Sequence, residues 1–322
     1  AEGLAHPTTY GVEVDRMGQV WVASNGGGLS VLQDGGSIKV FTTADGLPSN
    51  AFYTAVEDRE GNMWLGSPAG LVRYGGSLFR SFATDGEGIR ALWRSRDGAV
   101  WAGTIIGGVF RCTKEGCRAI ELPGKLGSYP INSILEDRQG RMYFASQGAG
   151  IARYDGVGFT VFDLAHGLPS NDVVKLYEDR QGDVWAASAI GIMRYRDGVW
   201  QRIGEEVAAL RGLASAMYQD RRGHMWFSAL KAPSTTGQGV VRYDGEQWRV
   251  FTTADGLVDD AVTSILETRD GAMLFGSKGG LAHFDGENWE QLTAQDGLAS
   301  ERVLSLLEDE GGRIWMGTAV GI

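Results

Sequence analysis

Glu57-Asp58-Arg59-Glu60-Gly61-Asn62-Met63-Trp64 decides the fold, because it returns as Glu136-Asp137-Arg138-Gln139-Gly140-Arg141-Met142-Tyr143, as Glu178 through Trp185 and as Glu308 through Trp315. Weaker copies end at Trp21, Trp101, Trp226 and Leu274. With the Trp or its substitute as anchor, the positions are 21, 64, 101, 143, 185, 226, 274 and 315, spaced by 43, 37, 42, 42, 41, 48 and 41 residues. Self-similarity at a period near 42 residues signals a stack of supersecondary units, none of which buries its apolar faces alone. A second block, Phe41-Thr42-Thr43-Ala44-Asp45-Gly46-Leu47-Pro48-Ser49-Asn50, recurs at Phe162 to Asn171 and, without the Pro, at Phe251 to Asp260.

Working outward from the anchor, one repeat reads as four short strands, A to D. Phe52 to Glu57 is apolar and β-branched (A), and Asp58 to Gly61 is a turn. Met63-Trp64-Leu65-Gly66-Ser67 follows (B), then Gly70-Leu71-Val72-Arg73-Tyr74 (C), a Gly75-Gly76 turn, and Leu78 to Phe82 (D). Four strands per period of this length predict an all-β fold, a β-propeller of four-stranded blades. The small residue two places after each anchor (Ala23, Gly66, Gly103, Ala145, Ala187, Ser228, Gly276, Gly317) fits this reading by giving the anchor ring room against the next sheet. Ala1-Glu2-Gly3-Leu4 aligns with Ala44-Asp45-Gly46-Leu47, so the first repeat begins at residue 1. Residues 1–293 then hold seven full repeats, and residues 294–322 hold strands A and B of an eighth. Seven blades are favoured, with 294–322 opening a second propeller; an eight-bladed ring is the alternative.

Composition narrows the function. The chain has 322 residues, 49 of them Gly, with 43% hydrophobic and 22% charged, which suits a packed chain rich in tight turns. A formal charge of −10 supplies no basic field for nucleic acid or an anionic membrane. No run of eighteen apolar residues is present, and the start at Ala1 has neither the basic nor the apolar region of a signal peptide. The chain reads as a mature or excerpted segment.

As a set, Gly-Leu-Pro-Ser-Asn, an apolar strand, Glu-Asp-x-x-Gly-x-x-Trp-x-Gly-Ser/Thr-x-x-Gly-Leu and Arg-Tyr-Asp-Gly resemble the two-component regulator propeller repeat. The resemblance covers essentially the whole chain. It implies the periplasmic sensor region of hybrid histidine kinase-type receptors, often two consecutive seven-bladed propellers ahead of a β-sandwich, a membrane helix and an output domain. The sandwich, membrane segment and kinase motifs lie outside this sequence, so the signalling role rests on that likeness and the site must be argued separately.

Most conspicuous residues read as scaffold. Trp21, Trp64, Trp101, Trp185, Trp226 and Trp315 are anchors, and Trp200, Trp248 and Trp289 share a strand-D position; only Trp93 breaks the pattern and is a ligand candidate. The Asp-x-x-Gly turns lack the alternating carboxylates of a calcium loop. His6, His166, His224 and His283 show no ligand spacing, so no metal, cofactor or catalytic base is expected. Cys112 and Cys117 flank the strand C to D turn of the third repeat, where a disulfide would match an oxidising compartment; two free cytosolic thiols fit the sequence nearly as well.

Alternating strand direction puts the D-to-A and B-to-C loops on one face. There the loop before Ile89 is cut to Gly86-Glu87-Gly88 and that before Ala214 to Gly212-Leu213, while Lys231 to Gln238 enlarge a B-to-C loop of the sixth repeat. Short loops and a long wall predict a pocket. Eleven residues before each anchor stand Tyr10, Tyr53, Arg90, Asn132, Val174, Ser215, Thr263 and Leu304, near the channel mouth. The ligand-binding candidates are Tyr53, Arg90, Trp93, Asn132, Gln147, Lys175, Lys231 and Lys278.

The sequence is therefore expected to be an extracytoplasmic, periplasmic or extracellular, ligand-sensing or interaction propeller of a bacterial two-component-type receptor, binding without catalysis. Its expected partners are a small molecule or oligosaccharide, or a protein surface, with receptor dimerisation through domains outside this segment. Nucleic acid and direct membrane insertion are not expected. The alternatives are a protein-docking scaffold and a propeller enzyme such as a lyase or glycosidase; the scattered His and the repeat-bound carboxylates argue against the enzyme.

Overall fold

The computed structural model describes residues 4, 6, 8–33, 37–82, 84, 87–231 and 236–321. Residues 1–3, Gly86 and the Ala232-Pro233-Ser234-Thr235 part of the long loop lie outside the described residues. The fold is all-β: seven four-stranded antiparallel sheets, each a meander in the order A-B-C-D, and a two-stranded sheet, Val303–Glu308 with Ile314–Thr318. These are the blades of a β-propeller. The chain divides into two compact units. The first, through Phe162, holds blades 1 to 4, whose A strands are Thr9–Val14, Thr54–Glu57, Ile89–Arg94 and Ile131–Glu136. The second holds blades 5 to 7, with A strands Val173–Glu178, Met217–Gln219 and Val262–Glu267, and the two-stranded sheet.

The recurring six-residue spacing from Asp to Trp in five of the repeats has a direct physical cause. Asp58 caps its own turn, Oδ1 accepting the backbone N–H groups of Glu60 and Asn62 at 3.0 and 2.8 Å, and its Oδ2 accepts the Trp64 indole N–H at 2.7 Å. Gly61 completes the turn at φ +86°. The same bond joins Asp15 to Trp21, Asp179 to Trp185, Asp220 to Trp226 and Asp309 to Trp315. One carboxylate thus shapes the hairpin and satisfies the polar atom of a ring that is otherwise buried.

Five of the anchors pack forward onto the following blade of their own unit. Trp21 joins Phe52, Met63, Leu65 and Val72 of blade 2, and Trp64 joins Ile89, Val100 and Phe110 of blade 3. Trp101 meets Ile131, Ile134 and Phe144 of blade 4. In the second unit Trp185 packs with Met217 and Phe227, and Trp226 with Val262 and Phe275. The strand-C Arg lies over its own blade's anchor, with Arg73, Arg194 and Arg242 at 5.6, 5.3 and 5.8 Å from the Trp64, Trp185 and Trp226 rings.

The small residue after the anchor has a different cause from the one expected. A Cβ on Gly66 would come within 2.9 Å of Ile89, and one on Gly103 within 2.7 Å of Ile131. The room is taken by the first residue of the next inner strand, which the missing side chain admits.

A polar clasp repeats the same step. Arg16 donates its backbone N–H to Glu57 Oε2 and its Nε to Oε1, while its terminal nitrogens reach the carbonyls of Asp58 and Arg59. Arg96 holds Glu136 and Arg138, Arg180 holds Gln219 and Asp220, and Arg221 holds Glu267 and Arg269 in the same way. Glu-Asp-Arg is therefore one device: Glu receives the preceding blade, Asp builds the turn, and Arg grips the following blade.

Two loop expectations need correction. The connection before blade 6 is not short: strand D of blade 5 ends at Ile203 and Met217 opens the next, with a 3-10 turn at Ala208–Arg211 that buries Leu210. Strand A of that blade starts late, which made the linker look cut. The enlarged segment of blade 6 is largely a hairpin extension, with strand B running to Lys231 and strand C starting at Thr236.

Replacing Asp58 by Ala strands two turn N–H groups and a buried indole N–H, so the urea midpoint should fall by the equivalent of about 2–4 kcal/mol. Replacing exposed Glu60 by Ala should change it by less than about 0.5 kcal/mol.

Candidate functional site

The position eleven residues before each anchor is where most of the inner strands break register. Between Thr9 and Gly11, Ile89 and Ala91, Ile131 and Ser133, Val173 and Lys175, Val262 and Ser264, and Val303 and Ser305, one residue is left over against strand B. A bulge leaves its extra residue out of the ladder and re-aims the side chain. The leftover residues are Tyr10, Arg90, Asn132, Val174, Thr263 and Leu304. In blade 2 the equivalent Tyr53 precedes the strand and donates its N–H to the Gly66 carbonyl at 2.8 Å.

In the first unit three of these positions meet. Tyr10, Tyr53, Arg90 and Ile105 line a cavity of about 470 Å³, so blades 1 and 3 give their bulged residues, blade 2 gives the equivalent Tyr53, and blade 3 adds Ile105 from its B-to-C loop. The Tyr10 and Tyr53 ring centroids are 5.9 Å apart and tilted by 52°, forming an open aromatic wall. Arg90 is exposed, yet its neighbours Ile89 and Ala91 are buried, so a fixed backbone presents a free side chain. Among the described residues nothing bonds its guanidinium or either phenol.

The connection from blade 2 to blade 3, running from Phe82 to Ile89, is the shortest between successive blades. Gly88 lets it pass: a Cβ there would lie 2.9 Å from both Ile105 Cδ1 and the Pro68 carbonyl. The Ile105 N–H is tied to the Gly88 carbonyl at 2.9 Å, which fixes the loop that carries the apolar side of the cavity.

The structure brings Tyr53 and Arg90 together at this cavity. Trp93, three residues beyond Arg90, packs against the blade 4 core, and its indole N–H is buried with no hydrogen bond among the described residues. Asn132 is half-buried at the blade 4 bulge, and Gln147 is exposed just after strand B with its N–H on the Pro130 carbonyl. Lys175, Lys231 and Lys278 belong to the second unit, and all three are exposed. Lys175 is nevertheless surrounded by enough protein that its pKa is lowered by loss of hydration. Lys231 ends the blade 6 hairpin, and Lys278 follows strand B of blade 7. Ile105 was missed, although Ile105-Ile106 replaces the Pro68-Ala69, Gln147-Gly148 and Lys278-Gly279 of other blades and Ile106 is 57% exposed.

The Cys112 and Cys117 sulfurs are joined in a disulfide across strands C and D of blade 3. Each His is engaged locally: the His6 ring accepts the Thr8 N–H, while His166, His224 and His283 face Asp163, Asp220 and Glu290. No helix among the described residues is long and apolar enough to cross a membrane.

Four segments of the chain, residues 46–69, 125–148, 167–189 and 297–319, match the model of the two component regulator propeller family. Comparison with curated proteins gives no match. Among solved structures, the extracellular domain of a putative hybrid two-component system from B. thetaiotaomicron is 18% identical, with a TM-score of 0.49 over 96% of this chain; the chain spans about half of that structure, 48%. Virginiamycin B lyase from Staphylococcus aureus is 14% identical at a TM-score of 0.59, with 99% of this chain and 94% of the lyase covered. The computationally designed Ika8 protein is 13% identical at 0.69, with 97% and 96% covered. At such identities the last two likenesses concern the fold alone.

Away from the cavity, Glu13 is a titratable group of note. Burial pushes its carboxyl up to about 7, against the pull of the Arg94 guanidinium and with the repulsion of Glu57. The folded chain then holds the Glu13 proton to near neutrality, while the unfolded chain releases it near the ordinary carboxyl value of 4.5. Between those pH values the folded state binds more protons, so raising the pH removes stability. Glu13→Gln should match the wild type at pH 4 and exceed it by on the order of 2 kcal/mol at pH 8, read from urea midpoints. Equal differences at both pH values would refute the assignment.

Proposed function

We propose that this chain is the ligand-binding propeller of an extracytoplasmic sensor in a two-component-type receptor, acting by binding and not by catalysis. The observation that carries it is the cavity at which three blades of one repeat pattern present three exceptions, Tyr10, Tyr53 and Arg90. A residue kept in every blade serves the fold. Side chains that vary at one structural position, around one opening and without hydrogen-bond partners among the described residues, are free to serve a ligand. The repeat family supplies the signalling context, and the Cys112–Cys117 disulfide suits an oxidising compartment.

Binding at this place touches the inner strands of blades 1, 2 and 3 together. A ligand that prefers one spacing of those strands biases that arrangement by its difference in affinity, which is the only means by which binding can signal.

The test is thermal unfolding against mono- and oligosaccharides, amino acids and small organic acids. A ligand at a hundredfold excess over its Kd should raise the midpoint by about 4 °C in a chain of this size, and Tyr53→Ala should abolish the rise. A saturable shift that survives Tyr53→Ala would place binding elsewhere.

A further inference from the structure

The geometry points to a ring compound bearing a carboxylate as the ligand of the Tyr10–Tyr53–Arg90 cavity, an inference that rests on this cavity being the binding site. Three features combine. The guanidinium of Arg90 is a planar, permanently charged fork whose five donors match a carboxylate in a two-point contact. Among the described residues no acid or carbonyl occupies it, although most other Arg side chains in the inner-strand turns of this unit, such as Arg16, Arg94 and Arg96, are spent on the next or preceding blade. An unspent guanidinium beside a cavity, on a chain with a formal charge of −10, is a local exception to its electrostatic background.

The second feature is the wall. Tyr10 and Tyr53 have rings tilted by 52° to each other, and Ile105 supplies an apolar patch, so the cavity sets flat and apolar surfaces beside the Arg90 cation. Phenols at the wall edge add hydrogen bonds for hydroxyl substituents. The third is size: about 470 Å³ accommodates one or two six-membered rings and excludes a long chain from full enclosure. A ring that rests on Tyr10 or Tyr53 beside Ile105 and extends a carboxylate to Arg90 uses the aromatic, apolar and charged surfaces together. An uncharged ring leaves the guanidinium with water alone.

Acidic sugars and aromatic acids share this chemistry, and calorimetry on the whole chain separates them. The probes are D-glucuronate with D-glucose as its neutral counterpart, and 4-hydroxybenzoate with 4-hydroxybenzamide. One carboxylate should bind saturably and its neutral counterpart at least about tenfold more weakly; Arg90→Gln should cost about 10- to 100-fold, with part recovered in Arg90→Lys. Arg90→Gln should melt with the wild type, since its side chain makes no bond to the described residues. Equal binding of acid and neutral partner, or no effect of Arg90→Gln, overturns the inference, as does the absence of binding by all four probes. Neutral binding that is lost in Tyr53→Ala would overturn the carboxylate and leave the cavity as the site; binding indifferent to both substitutions would overturn both readings.

Discussion

A buried indole needs an acceptor for its N–H, and in this chain nearly every other regularity is arranged around that need. The acceptor comes from the Asp six residues earlier, at 2.7 Å in blades 2 and 5, and the same carboxylate shapes the hairpin that brings the two together. Once the ring is held on strand B, it faces forward, where the next sheet supplies Phe52 and Leu65, or Ile89 and Val100. The preceding Glu and following Arg then sit at the ends of the same hairpin, where they can reach neighbouring blades. Blade order within each unit is thus written into eight consecutive residues.

That compression explains how legible the fold was and where reading failed. Blades without the Asp still fold because the acid moves: Ser95 and Asp97 in blade 3, and Thr268 and Asp270 in blade 7, share the capping of their turns with the hydroxyl on the Ala99 or Ala272 carbonyl. Burial and the Ser95 hydroxyl, the latter with its neighbours prevailing, leave Asp97 with a pKa of about 2, helped by Arg111. Ser-x-Asp-Gly-Ala and Thr-x-Asp-Gly-Ala are one compensated variant, visible in sequence as weak copies. The small residue after the anchor was equally visible, but its cause was not, because the side chain it admits lies some twenty residues away on another blade.

Loops resisted reading for a different reason. Spacing counts residues but not the conformation they adopt, so a late-starting inner strand before blade 6 imitated a shortened linker, and a hairpin extension imitated a loop. The Phe-Thr-Thr-Ala-Asp-Gly-Leu block was easier, because its chemistry is local: Thr42 and Asp45 cap one another, Asn50 accepts the Thr43 N–H, and Leu47 is driven into the core. Such a block fills the connections before blades 2, 5 and 7 and is missing before blade 3.

The candidate site was half legible on the same grounds. Tyr53 and Arg90 were reachable because alignment to the anchor compares equivalent positions, and a position that varies while its neighbours repeat is released from the fold. What alignment did not show is that the position is a bulge. An ordinary strand residue faces one of two neighbouring blades and is committed to packing, as Trp93 is against blade 4. A bulged residue belongs to neither face. Arg90 stands between buried Ile89 and Ala91 for that reason, and a scaffold built from identical steps gains, at one residue per blade, a place where sequence can change without disturbing any step.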